Sequence, residues 1–155
     1  MRSIIPFLFL VFIAFTSCNQ DDKEPEFSVA GYWNLIQIVP SWPVPDYDGK
    51  VIDFNEKYIF NHDGSFIKFS NRPKGIGEKL QVPVQALGVY TFSPMEHGND
   101  EIIYEVKLVF DTNPEMAANC GEANTEYLFI TKSNKLVNTS WSACDGLGYV
   151  YSKSK

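Results

Sequence analysis

Between Ile102 and Phe110 the side chains alternate without a break: Ile102, Tyr104, Val106, Leu108 and Phe110 fall on one parity, and Ile103, Glu105, Lys107 and Val109 on the other. In an extended chain successive side chains point to opposite faces, whereas apolar positions on a helix recur every three to four residues. The stretch therefore reads as a complete strand with an inner and an outer face. The same period returns along the chain. Gly31 to Val39 sets Trp33, Leu35 and Val39 on one face and Tyr32, Asn34, Ile36 and Ile38 on the other. Tyr58-Ile59-Phe60 and Phe66-Ile67 flank Asn61-His62-Asp63-Gly64, which suits a type I turn with Gly64 at positive φ in a bulged hairpin loop. That register pairs Phe60 with Phe66 and puts Tyr58 on their side, whereas a two-residue Asp63-Gly64 loop would pair Phe60 with Ile67.

Further strand-like runs follow. Leu80 to Ala86 and Leu87 to Phe92 form one long strand or two short ones; Glu126 to Thr131, Lys135 to Ser140 and Tyr149 to Ser152 come after a long connection, Asp111 to Thr125, with room for one helical turn near Met116. Turn residues separate them, including Pro94, Gly98, Asn99 and Ser133-Asn134. With about eight strands, short turns and no amphipathic helix, the expected fold is all-β: an antiparallel up-and-down barrel with Trp33 plugging its closed end. A chain of 155 residues suits one such domain.

The first residues belong to a different regime. Arg2 precedes a twelve-residue apolar run, Ile4 to Phe15, too short to cross a bilayer comfortably, as in a signal peptide. Its end, Phe15-Thr16-Ser17-Cys18, resembles the bacterial lipobox, which implies cleavage before Cys18 and acylation of that cysteine. The expected organisation is a lipoprotein signal peptide over 1–17, a flexible acidic stalk over 18–27 and the barrel over 28–155. The stalk, Asn19 to Glu26, is polar and aperiodic. It also resembles the short acidic tags that carry lipoproteins of Bacteroidetes-type bacteria to the cell surface; a plain solvated spacer is the alternative. Several acyl chains on one cysteine hold a protein firmly on a membrane, so the expected location is the outer membrane, facing the cell surface or the periplasm. Net charge is -6, and loss of Arg2 would make it more negative. Such a surface repels phosphate backbones, which argues against a nucleic-acid partner.

With Cys18 assigned to lipid, Cys120 and Cys144 remain as an even pair in an exported chain, which implies a disulfide; two separate thiols are the alternative. Catalytic and metal signals are weak. His62 and His97 fall in turns, Asp46-Tyr47-Asp48-Gly49 lacks the later glutamate of a calcium loop, and no serine sits in a nucleophile elbow. No metal, cofactor or enzymatic activity is expected. An eight-stranded barrel is just wide enough to be filled by side chains or to hold one small ligand. Trp33, Tyr58, Phe60 and Phe66 are candidates for its lining, as are Tyr90, Tyr104, Tyr127 and Phe129. The Pro40, Pro43 and Pro45 loop brings Trp42 as a lid over the mouth, or packs on the outer wall.

Gly31-x-Trp33, the aromatic loop after it, the Asn-x-Asp-Gly hairpin and the ending Cys144-Asp145-Gly146-Leu147-Gly148-Tyr149-Val150-Tyr151 together resemble the lipocalin-like lipoproteins of Bacteroidetes-type bacteria. The last strand offers no obvious arginine to close over the tryptophan. The resemblance implies an eight-stranded barrel that binds small apolar molecules. The expected function is a surface-tethered protein binding a small apolar or amphipathic ligand under the loop of residues 40–56. The alternative is a filled barrel acting through Trp42, Tyr47 and Trp141 as a protein or glycan interaction module or inhibitor.

Overall fold

The computed structural model of the chain describes residues 27–40, 52–72, 82–95 and 101–154. The signal segment, Cys18, most of the stalk, the Asp46 to Gly49 stretch, Trp42 and His97 lie outside these residues. Eight strands follow one another: β1 (Gly31–Val39), β2 (Glu56–Phe60), β3 (Ser65–Ser70), β4 (Val84–Pro94), β5 (Ile102–Phe110), β6 (Thr125–Thr131), β7 (Lys135–Asn138) and β8 (Gly148–Lys153). Each pairs antiparallel with the next, and β8 returns to β1 to close the barrel. The up-and-down barrel expected from the alternating pattern is the fold. Of the stretch expected to give one long strand or two short ones, the described part forms a single strand, β4, from Val84 to Pro94.

The β2–β3 hairpin adopts the bulged register, with Phe60 opposite Phe66 and Gly64 at φ 84°. The Asp63 carboxylate accepts both the N–H and the hydroxyl of Ser65, which fixes the turn. His62 is exposed at its tip. On β1 the expected faces hold only through Leu35. A bulge between Leu35 and Gln37 leaves Ile36 and Gln37 both exposed and resets the parity, so Ile38 is the buried residue and Val39 is only half-buried. The strand expected to run through Ser140 stops at Asn138. Its side-chain Oδ1 accepts the N–H of Ser140, and Ser140–Cys144 turns into a short 3-10 helix. A second 3-10 turn, Pro114–Met116, falls in the long connection where one helical turn was expected.

At the hairpin end Trp33 is fully buried and its indole N–H donates to the Val29 carbonyl at 2.8 Å. The cation near this ring comes from the last strand as a lysine. Lys153 Nζ lies 5.7 Å from the ring centre and donates to the Ser28 carbonyl at 2.9 Å. Phe27 stacks on Tyr104 at 5.1 Å, and Phe92 packs on Tyr104 at 4.6 Å, closing this end with rings. Gly88 marks the tightest approach in the wall: a Cβ there would lie 2.0 Å from the Val109 carbonyl oxygen and 2.7 Å from the Phe66 ring. Tyr58, Leu108, Leu128, Ile130, Leu136 and Tyr151 fill the middle of the barrel.

Candidate functional site

Three charged residues occupy inner positions because strand parity places them there. Glu56 is two residues before Tyr58 on β2, Lys68 two after Phe66 on β3, and Glu126 two before Leu128 on β6, and all three are buried. Lys68 Nζ contacts Glu126 Oε2 at 3.0 Å and Glu56 Oε1 at 3.8 Å, and donates to the Met116 carbonyl at 2.9 Å. Glu126 Oε1 also accepts the Tyr58 hydroxyl and the Asn138 amide, each at 2.5 Å. Glu56 Oε1 accepts the Tyr151 hydroxyl at 2.6 Å, while its Oε2 is 3.9 Å from the Arg72 guanidinium. Buried ions are tolerable only when paired and hydrogen-bonded in this way.

The network sets its own protonation states. Burial pushes the Glu56 carboxyl up, but Lys68 and Arg72, helped by the Tyr151 and Ser70 hydroxyls, outweigh it and hold Glu56 below the ordinary value of 4.5. Burial, then the neighbouring carboxylates Glu126 and Glu56, raise the Tyr58 and Tyr151 phenols well above 10.0. Both tyrosines therefore stay protonated and serve as donors to the carboxylates.

The loop end of the barrel is covered. Met116 and Ala118 are buried over the network, and the Trp141 indole donates to the Asn119 carbonyl at 3.0 Å. Cys120 and Cys144 form the expected disulfide, with Cα atoms 6.0 Å apart, stapling the β5–β6 connection to the turn before β8. Arg72 lies over Trp141 at 4.3 Å and near Tyr149 at 5.4 Å, so Trp141 packs into this cover.

A half-open groove of about 630 Å³ lies in the wall where β1 leaves β2. Pairing between these strands is limited to Gly31 through Asn34 against Phe60 through Lys57. Beyond it, the inner-parity residues Leu35, Phe54 and Glu56 belong to the groove together with the outer-parity residues Asn34, Ile36, Lys57 and Phe69 and with Ile52, Asn55 and Pro83. Apolar and polar groups thus share its surface. A shallower hollow of about 560 Å³ lies against β6 on the opposite wall.

The aromatic residues expected to line a ligand cavity are divided by the fold. Trp33, Tyr58, Phe60 and Phe66 are buried inside, with the Tyr58 and Phe60 rings stacked at 5.9 Å and the Phe60 and Phe66 rings tilted against each other at 6.5 Å. Tyr90 packs on Phe60 at 5.0 Å and donates its hydroxyl to the Asn61 carbonyl, while Tyr104 belongs to the ring cluster at the hairpin end. These rings fill the interior. Tyr127 and Phe129 require a correction: they stand on the outer wall beside the shallow hollow, because β6 turns Glu126, Leu128 and Ile130 inward. Trp42 lies outside the described residues. None of the eight described residues lines the larger groove.

Sequence reading missed Glu56, Lys68 and Glu126. The signal was present as a charge occurring in step with buried apolar residues, as in Phe66, Lys68, Ser70 and in Glu126, Leu128, Ile130. Among the described residues no three His, Cys, Asp or Glu side chains converge as a metal-binding set. No protein-family model, curated protein or solved structure matches the chain. Its class is defined by architecture: a closed, eight-stranded antiparallel barrel, compatible with the lipocalin-like arrangement, with a filled and charged interior.

Proposed function

We propose that this chain is a lipid-anchored, lipocalin-like binding protein that takes a small amphipathic ligand in the groove between β1 and β2. Acylated Cys18 would hold it on the outer membrane, facing the cell surface or the periplasm. The observation that carries the binding role is the 630 Å³ groove beside Ile52 and Phe54, in the connection already expected to cover the ligand. Its volume falls in the range of small-molecule sites, roughly 300 to 1,000 Å³. Mixed walls suit a ligand with an apolar body and a polar head. The packed interior favours a second reading, an interaction module acting through its outer surface.

Native mass spectrometry of the acyl-free protein after exposure to a cell lipid extract separates the two. A retained small molecule is expected, and Ile36→Arg on the exposed rim should weaken its retention about tenfold, since a buried Ile contributes roughly 1.5 to 3 kcal/mol. No retained molecule, or retention unaffected at Ile36, would count against the groove. Loss of metabolic fatty-acid labelling in Cys18→Ser tests the anchor separately.

A further inference from the structure

Lys68, Glu126 and Asn138 come from three different strands, β3, β6 and β7, yet meet at one carboxylate inside the barrel. Glu126 Oε1 accepts Lys68 Nζ at 3.3 Å and Asn138 Nδ2 at 2.5 Å, and its Oε2 accepts Nζ at 3.0 Å. An amine and a primary carboxamide are thus held against the same acid–base group. The Asn138 carbonyl oxygen meanwhile accepts the backbone N–H of Ser140 at 2.9 Å, a donor positioned for negative charge developing on that oxygen. The three side-chain residues are each no more than 1% exposed, and the Tyr58 and Phe110 rings lie 4.9 and 5.9 Å from Nζ. Nucleophile, base, polarised carbonyl and dry surroundings are the parts of an acyl-transfer site.

We propose that the folded barrel uses these residues to cross-link itself, forming an isopeptide bond between Lys68 Nζ and Asn138 Cγ. Glu126 takes one proton from the lysine ammonium, and the resulting amine attacks Cγ. The carbonyl oxygen carries the negative charge of the tetrahedral intermediate and is held by the Ser140 N–H. Glu126 then delivers its proton to Nδ2, the Cγ–Nδ2 bond breaks and ammonia leaves. The carboxylate removes the second proton from Nζ and passes it to the departing ammonia. Overall, an ammonium and a carboxamide become a secondary amide and an ammonium ion, with no oxidant or activated donor required. Because β3 and β7 are not neighbours in the sheet, the bond joins separate walls of the barrel. The site is independent of the proposed ligand groove, which none of the three residues lines.

Peptide mapping of the folded full-length protein, after denaturation, reduction and trypsin digestion, tests the proposal. The expected product is one branched peptide containing Lys68 and Asn138, lighter than its two components by one ammonia, with no cleavage after Lys68. Amine labelling of the denatured protein should leave Lys68 unmodified. Glu126→Gln, which retains the shape without the base, should give two linear peptides and a labelled Lys68. Lys68→Arg should do the same for the Asn138 peptide. The wild-type map decides even if a variant fails to fold: an unlinked Lys68 and an Asn138 peptide of full sequence mass would overturn the proposal. Cross-linking that persists in folded Glu126→Gln would overturn the role of Glu126.

Discussion

Arg72→Met should be among the most damaging single changes at the loop end, and its cost depends on pH in a way that exposes the cause. Arg72 approaches Glu56 Oε2 at 3.9 Å and stacks on Trp141 at 4.3 Å, with its side chain only 16% exposed. Removing one partner of a buried ion pair costs about 3 to 5 kcal/mol when the remaining charge is stranded. Glu56 is not wholly stranded, since Lys68 remains at 3.8 Å and the Tyr151 hydroxyl at 2.6 Å. That lowers the pair's share to about 2 kcal/mol, and loss of a largely desolvated cation–π contact adds roughly 1 kcal/mol. Methionine retains much of the apolar stem, so packing changes little. The expected loss at neutral pH is about 3 kcal/mol, read from urea unfolding at fixed slope. Conversion of Lys68 to an amide would remove the second cation and raise that cost. Glu56 has a folded-state pKa below 4.5, so its stabilisation is present above that value and is lost as pH falls through the depressed pKa. Without Arg72 the folded carboxyl moves upward, and less of that stabilisation exists to lose. The gap between wild type and variant should therefore narrow in acid. A loss below about 1 kcal/mol at neutral pH, or a gap that stays constant into acid, would refute the assignment of Arg72 as the partner that keeps Glu56 ionised.

Two other substitutions test the frame. Replacing Cys120 and Cys144 together by serine releases a loop with a sequence separation of 24 and should cost about 3.5 kcal/mol on chain-entropy grounds, measured as the shift in urea midpoint. Gly88→Ala drives a methyl group into the Val109 carbonyl and the Phe66 ring, and should destabilise by about 3 kcal/mol in thermal unfolding; a neutral effect would show that the β4–β5 wall gives way.

Strand order was legible in the sequence because each strand carries its own alternation and each hairpin its own turn residues. β5 follows its pattern from Tyr104 to Phe110, whereas an irregularity in its pairing with β6 between Ile102 and Tyr104 leaves Ile103 rather than Ile102 packed against the core; the β2–β3 register follows from Gly64 at the one turn position that needs positive φ. The interior was less legible, for two physical reasons. Aromatic residues sit comfortably on either face of a strand, so ring size does not reveal direction: Tyr127 and Phe129 face outward while the smaller Leu128 and Ile130 face inward. On β6 the deciding feature is Glu126, whose buried partner Lys68 lies 58 residues away in sequence. No local pattern conveys a contact of that range. The bulge in β1 was hidden in a similar way. Leu35, Ile36 and Ile38 are all apolar, and only pairing with β8 determines which two share the inner face.

The same bulge connects the filled interior to the groove. A barrel that packs Lys68, Arg72, Glu56 and Glu126 within its upper half cannot admit an apolar ligand among them without separating charges from their partners, at several kcal/mol for each exposed ion pair. Space for a ligand has to come from the wall. Two features of the β1–β2 seam provide it: Ile36 lies in the β1 bulge, and bulges bend and twist the strand that carries them; and β2, five residues long against nine in β1, begins only at Glu56. Beyond Asn34 and Lys57 the two strands part, and the inner-parity residues Leu35 and Phe54 contribute to the groove, whose boundary also includes Glu56 with its side chain buried. The ligand proposed for this seam would contact the apolar wall while leaving the ion pairs assembled.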